Sequence, residues 1–271
     1  MVRSLWSAAS GMVAQQLNID TISNNLANVN TTGYKTEVAE FKTLLYQNLQ
    51  TKSTASDGTQ KPVSAQVGLG VRNSSITSIF KQGSMLASDS ASAFTVSGKG
   101  FFAVKGSDGE TYYTRNGNFQ WSLNTTGVSL VTSEGYPVLD STGKAITLGT
   151  QYNTSNITIT DDGTVAYPDA NNNAQSLGIK IGVFQFQNPA GLSKETSSMY
   201  SVTAASGAAI NEATAAGIEA SAIKQGYLEG SNVQVVDEMV NMIVAQRAYE
   251  MNSKAIQASD DMMAQANQLR R

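Results

Sequence analysis

No glycine or proline interrupts the chain after Gly230, and across that stretch Val235, Met242, Tyr249, Ile256 and Met263 recur every seven residues. An apolar residue held at that interval is the stripe of a helix that faces a partner helix. The opening of the chain follows the same rule. Leu5, Ala8, Met12, Ile19, Ile22, Leu26 and Val29 fall at alternating steps of three and four, with Gln15 the one interruption. Two such stripes at opposite ends constrain the fold more than any other feature. As helices rising 1.5 Å per residue, Ser231–Leu269 spans about 58 Å and the first helix about 39 Å. The roughly 150 residues between them fold into a body with a radius of gyration of only about 15 Å. Stripes that overreach the domain they flank must be covered by each other or by further copies.

The remaining surface of the first helix supports that reading. Between Val2 and Asn30 the only charges are Arg3 and Asp20, while Gln15, Gln16, Asn18, Asn24, Asn25 and Asn28 supply neutral amides. A solvated helix carries a charged face, so this one is packed on several sides with its amides bonding neighbours. Asn30-Thr31-Thr32-Gly33 ends it, because Asn and Gly tolerate the left-handed stop conformation. At the far end Ser231 and Gln234 predict a capping box, with Asp237 and Glu238 in the first turn. The companion heptad positions Ala245, Asn252, Ser259 and Ala266 are small or polar, which predicts close approach of another helix.

Between the helices the pattern changes. Tyr34 to Gln50 carries Phe41, Leu44, Leu45 and Leu49 at helical spacing, and reads as a brief helix or an extended arm. Residues 51–62 are polar and turn-rich, a loop. From Val63 onward short β-branched and aromatic runs alternate with Gly, Asp and Asn. Phe101–Val104 pairs with Thr111–Thr114 around Gly106-Ser107-Asp108-Gly109, and Asn156–Thr160 with Thr164–Tyr167 around Asp161-Asp162-Gly163. A longer strand follows with Leu177, Ile179, Ile181 and Val183 on one face. Residues 204–222, Ala-rich and broken by Gly207 and Gly217, read as a linker. The fold class is therefore α+β. Long terminal helices (1–33 with 226–271) form a coiled-coil-like domain, 34–75 is an extended arm or linker, and 76–225 is a central antiparallel β-rich domain.

Composition removes whole classes of function. Cysteine and histidine are both absent, so disulfides, zinc–thiolate sites and Cys-His or Ser-His-Asp catalysis are excluded. With a net charge of −3 and no basic cluster, nucleic acid is not the partner. No apolar run reaches the roughly 18 residues that membrane insertion needs. The N-terminus does not read as a secretory signal, because the helical pattern runs straight through it. Only 14% of residues are charged, against roughly 25% in soluble domains, so much of the polar exterior is expected to meet protein. Gly98-Lys99-Gly100 and Gly68-Leu69-Gly70 fit neither a dinucleotide turn nor a P-loop. Glu134, Asp140, Asp161 and Asp162 sit in Gly-containing turns, where Asp is expected for local backbone bonding. No catalytic residue, metal ligand or cofactor site is assigned.

Three blocks nevertheless point to one family. Asn24-Asn25-Leu26-Ala27-Asn28 followed by Thr32-Gly33-Tyr34-Lys35 resembles the N-terminal signature of bacterial flagellar rod and hook proteins. Gly98–Leu139, with GKGFFAV, YTRNGNF and EGYPVL, resembles their β domain, and Gly226–Met263, with GYLEGSNV and AQRAYEMNSKAI, their C-terminal helix. Within the family Glu40–Gln47, Gly68–Arg72 and Lys81–Met85 resemble the distal-rod branch, ahead of proximal rod or hook members. Met85 stands where the family often has Leu, and residues 150–175 match weakly.

The resemblance implies a self-assembling hollow shaft that crosses the periplasm, carries motor torque to the hook and passes later subunits. It also implies export through the flagellar type III apparatus. The implied partners are copies of the chain itself in a helical homopolymer, proximal rod and hook proteins, and ring proteins around the rod. Subunit packing is assigned to Leu5, Met12, Ile19, Ile22, Asn24, Asn25, Leu26, Asn28 and Val29 on the first helix. On the last it is assigned to Val235, Met242, Gln246, Arg247, Tyr249, Ile256 and Met263, with arm contacts at Phe41, Leu44, Leu45 and Tyr46. A cell-wall glycan hydrolase using the turn carboxylates, and an adhesin-like module with a β head, are the readings from other classes.

Overall fold

The computed structural model of the chain describes residues 2–50, 65–124, 127–169, 173–196, 198–215 and 217–269. The loop expected at 51–62 lies outside the described residues. The chain divides into two compact units, one of Met1–Ala27, Glu37–Ser78 and Gln234–Arg271, the other of Asn28–Thr36 and Ile79–Val233.

The first unit holds both long helices, α1 (Val2–Ala27) and α2 (Val235–Gln268). It also holds two antiparallel strand pairs. β1 (Glu37–Thr43) runs against β4 (Val71–Ser78), and β2 (Tyr46–Gln50) against β3 (Ala65–Gly68). The stretch from Glu37 to Gln50 is thus extended, not helical. Pairing with β4 overrides the helical spacing of Phe41, Leu44 and Leu45, and a bulge between Glu40 and Phe41 shifts the register. α2 begins at Val235, later than the capping pair predicts. Gln234 is the N-cap without a side-chain bond, and the Ser231 hydroxyl accepts from the Val233 amide instead.

The second unit is a body of antiparallel strands. Its largest sheet has six, in the order β16 (Ser193–Lys194), β17 (Met199–Ser201), β8 (Thr111–Thr114), β7 (Phe101–Lys105), β15 (Val183–Gln185) and β18 (Ile210–Asn211). β9 (Phe119–Asn124), β10 (Gly127–Thr132) and β11 (Thr147–Leu148) form one three-stranded sheet. β12 (Thr158–Ile159), β13 (Thr164–Pro168) and β14 (Ala174–Lys180) form another. β5 (Met85–Ala87) pairs with β20 (Tyr227–Glu229), and β6 (Phe94–Ser97) with β19 (Ala222–Gln225). Both hairpins expected from the sequence form, β7 with β8 and β12 with β13.

β7 explains where the core lies. Successive side chains on a strand face opposite ways, and Phe101, Phe102, Ala103 and Val104 are all buried. Phe102 and Val104 join Phe94, Phe119, Leu130 and Ile181 in the main cluster, while Phe101 and Ala103 join Tyr113, Leu139 and Tyr200 in a second. A continuous apolar run is what a strand covered on both faces needs. Residues 204–222, expected as a linker, contain turns and the short β18, and no described residue among them is helical. Asn211 fixes the stretch by donating from Nδ2 to the Ser141 carbonyl at 2.6 Å.

Candidate functional site

α1 and α2 lie antiparallel, and the pairs that touch repeat every seven residues. The Ser4 and Ser259 hydroxyls are 3.4 Å apart. A Cβ on Gly11 would stand 2.8 Å from Asn252 Nδ2. Asn25 bonds the Glu238 carboxylate. Each step of seven along α1 thus matches a step of seven back along α2, which puts Asn18 opposite Ala245. This line is made of small and amide side chains, so the two backbones approach closely. Ala245 and Ser259 are buried, as the small companion positions predict for a close partner.

The large apolar residues expected to mark the seam sit beside this line. Ile22 is buried, whereas Leu5, Met12, Ile19 and Leu26 on α1, and Met242, Ile256 and Met263 on α2, are half-buried within the single chain. Val235, Gln246, Arg247 and Tyr249 are exposed, and Arg247 Nη1 pairs with Glu250 at 2.8 Å. That exposed pair is worth about 0–1 kcal/mol and does not define the helix. Asn25 is the best anchored of the amides. Its Nδ2 donates to the Glu37 carbonyl at 2.8 Å and its Oδ1 accepts from the Glu37 amide at 2.9 Å, docking the start of β1 on α1 as a strand partner would. Asn24 is exposed and reaches Glu37 Oε2 at 3.3 Å.

What the helix pair leaves uncovered is as telling. Val236, Val240, Ile243 and Met251 lie on the side of α2 opposite Glu238, Ala245 and Ser259, since 3.6 residues make a turn. They are exposed, Val236 at 74% and Met251 at 67%. On α1, Trp6 and Val13 point away from the Ser4–Gly11 line and are each 69% exposed. In the strand pairs Leu45 is 84% and Tyr46 59% exposed, with Phe41 and Leu44 half-buried. Contiguous apolar faces of this kind mark interaction surfaces.

In the β-rich unit a buried carboxylate gathers the three sequence blocks. Glu229 Oε1 accepts from Lys35 Nζ at 2.7 Å and from the Gly83 amide at 3.0 Å, and Oε2 lies 3.4 Å from Arg115 Nη1. Lys35 also donates to the Lys81 carbonyl, and Arg115 Nη2 to the Gly98 carbonyl at 2.7 Å. Burial lowers the Lys35 and Arg115 pKa values from their ordinary range, and the Glu229 charge opposes both shifts. The surrounding backbone is fitted to the cluster. Gly33, at φ +71°, donates its amide to the Glu229 carbonyl, and a Cβ there would meet Asn116 N at 2.6 Å. Asn28 accepts from Thr31, half-buried Val29 sits in the same turn, and Asn232 Oδ1 accepts from the Thr36 amide and hydroxyl. Sequence reasoning assigned no role to Lys35, Arg115 or Glu229. The available signal was one charge in each of three motifs in a chain poor in charge.

The turn carboxylates have other work. Asp140 accepts from the Thr142 and Lys144 amides of its own turn, as expected, while Asp161 pairs with Lys224 at 2.7 Å. Among the described residues no group of acidic side chains could hold a metal ion, and no helix is long and apolar enough to cross a membrane.

Comparison with known proteins gives three family matches. Residues 5–35 match the flagella basal body rod protein family, 95–167 the D1 domain of the flagellar hook protein FlgE/F/G, and 224–269 the C-terminal domain of the flagellar basal body rod FlgEFG proteins. The chain is similar to the flagellar basal-body rod protein FlgG of Borreliella burgdorferi, at 45% identity covering 100% of both chains. It is 41% identical to FlgG of Caulobacter vibrioides over 99% of this chain and 100% of that one. To FlgG of Bacillus subtilis it is 37% identical, with both chains fully covered.

Glu229→Gln removes the one carboxylate in direct contact with the buried Lys35 and Arg115, and is expected to destabilise the β-rich unit by about 3–5 kcal/mol in denaturant melts. Burial raises the Glu238 carboxyl above its ordinary value of 4.5, opposed by the Asn25 bond and helped by the Asp237 charge. With the folded pKa above the unfolded one, this stabilisation is fully present below pH 4.5 and is lost as pH rises through the folded value. Glu238→Gln should therefore strengthen the helix pair at neutral pH and flatten its pH dependence between neutral and mildly acidic solution, read as amide protection in α2.

Proposed function

This chain belongs to the bacterial flagellar rod and hook protein family and is a structural subunit of the distal rod of the flagellar basal body; within that role we propose that its helix pair is completed only by neighbouring copies. Copies stack into a hollow helical shaft. The helices α1 and α2 form its coiled-coil-like inner layer, narrower than the 1–33 and 226–271 read from sequence because 28–36 and 226–233 belong to the β-rich unit. The strand pairs within 37–78 are an arm that reaches adjoining subunits, and the β-rich unit forms the outer layer. The shaft crosses the periplasm, carries torque from the motor to the hook, and leaves a channel for later subunits. The subunit itself leaves the cell by type III export. Proximal rod and hook proteins meet its two ends and ring proteins surround it. The chain works without catalysis.

One observation carries this reading, the apolar residues on the sides of α1 and α2 that face away from each other. A Val, Ile or Met side chain fully buried contributes about 1.5–3 kcal/mol, so covering these faces on a neighbouring copy adds to the stability of both helices. Leu5, Met12, Ile19 and Leu26, half-covered in one chain, lose their remaining exposure against the next copy. So do Val235, Met242, Tyr249, Ile256 and Met263, and Gln246 with Arg247 bonds across the joint. Ile22, Asn24, Asn25, Asn28 and Val29 hold α1 and its exit turn in the shape that packs. Leu45 and Tyr46 serve the arm, anchored by Phe41 and Leu44.

Val240→Asp and Ile243→Asp change exposed positions, so each should leave the monomer's stability within about 0.5 kcal/mol. Both should abolish rod assembly and swimming, because assembly would bury an unpaired charge. Motile cells with rods of normal length carrying either variant would refute the placement of this face.

A further inference from the structure

The β-rich unit contains a cavity of about 410 Å³ that the rod role as described leaves unused. Phe80, Phe101 and Phe186 wall it, Arg115 lines it, and exposed Lys99 and Gln187 stand at its rim. The walls are rigid, with Phe101 packed edge-on to Phe80 at 5.4 Å and to Phe186 at 5.5 Å. Arg115 is 2% exposed, and its Nε has no hydrogen-bond acceptor among the described residues. Two buried cations, Lys35 and Arg115, share the single carboxylate of Glu229. Glu212 also acts on Arg115, but its oxygens already accept from Gln185 Nε2 and from the Ser221 amide and hydroxyl. Lys99 makes no ion pair among the described residues, and no acidic residue lines the cavity.

An aromatic hollow with surplus positive charge suits an apolar side chain next to a carboxylate. Its volume admits a side chain or two and excludes a helix or strand. We infer that this cavity is a socket for an acidic turn on a second copy of the chain. The occupant follows from the homopolymer proposed above, on which this inference rests, and from charge. The chain carries 21 acidic residues against 18 basic ones. Two of its turns present a carboxylate two residues before a tyrosine, Glu110 before Tyr112 and Glu134 before Tyr136. Both carboxylates are exposed and neither forms an ion pair among the described residues. In the assembled rod the carboxylate lies against Lys99 and the Arg115 side of the cavity, and the exposed edge of the neighbouring half-buried tyrosine covers the phenylalanine rings.

The chain has no cysteine, so full-length Gln187→Cys can carry a benzophenone at the rim of the cavity alone. After irradiation of isolated basal bodies, the expected product is two copies of this chain joined within residues 106–112 or 132–136. Adding Lys99→Glu should reduce that product at least tenfold, and Glu110→Lys or Glu134→Lys, whichever turn is mapped, should restore it. Intact rods that give no product, or a product with a different protein, overturn the socket while leaving the homopolymer standing. A chain that forms no rods overturns the homopolymer first.

Discussion

The carboxylate of Glu229 is the point on which the chain's path depends. It lies 194 residues from Lys35 in sequence and 2.7 Å from it in space. With Arg115 it joins the segment leaving α1, the end of β8 and the segment leading to α2. Removing three charges from water costs several kcal/mol per ion before pairing offsets it, so the cluster is poor evidence of net stability. Its effect is selectivity. Any other register would leave a charge unpaired in the interior, so only one meeting of these segments is tolerated. Gly33 fits the same logic, since its left-handed conformation and its contact with Asn116 admit no side chain.

The helix pair obeys a different constraint. Its internal contact line is built from Ser4, Gly11, Asn25, Ala245 and Ser259, and close approach with amide and hydroxyl bonds does the work that thick aliphatic packing does elsewhere. The consequence is that large apolar side chains are left for the outside. In a monomeric protein Val236, Val240 and Ile243 would be liabilities. Under the proposed assembly they are a face held ready, and the scarcity of charge between Val2 and Asn30 suits a helix enclosed by protein. The subunit's own fold therefore determines what it cannot cover.

Much of this was legible in the sequence. β7 and β8 announced themselves by aromatic runs around a Gly-Ser-Asp-Gly turn, and the two helices by their seven-residue repeats. On α1 the contact line was displaced by one position, from Leu5 and Met12 to Ser4 and Gly11, because the sequence marks a seam by large apolar residues, whereas on α2 it follows the small companion positions Ala245, Asn252 and Ser259. The Lys35–Glu229–Arg115 cluster was invisible, since no local pattern links charges more than a hundred residues apart. Strand β1 was ambiguous because its partner β4 lies beyond a long intervening segment, so local spacing could not reveal the pairing that decides it. The cap at Ser231 failed for the opposite reason. A good local signal was passed over when Asn232 became tied to Thr36 and to the Ile79 carbonyl.

Amide hydrogen exchange on the full chain, dilute and then in assembled rods, bears most directly on the claim that copies complete the helices. The amides of α1 and α2 should exchange at least a hundredfold more slowly in rods than in the dilute chain, where only one side of each helix is covered, while β7 and β8 stay equally protected in both. Helices equally protected in dilute solution and in rods would contradict it, for they would then need no neighbour.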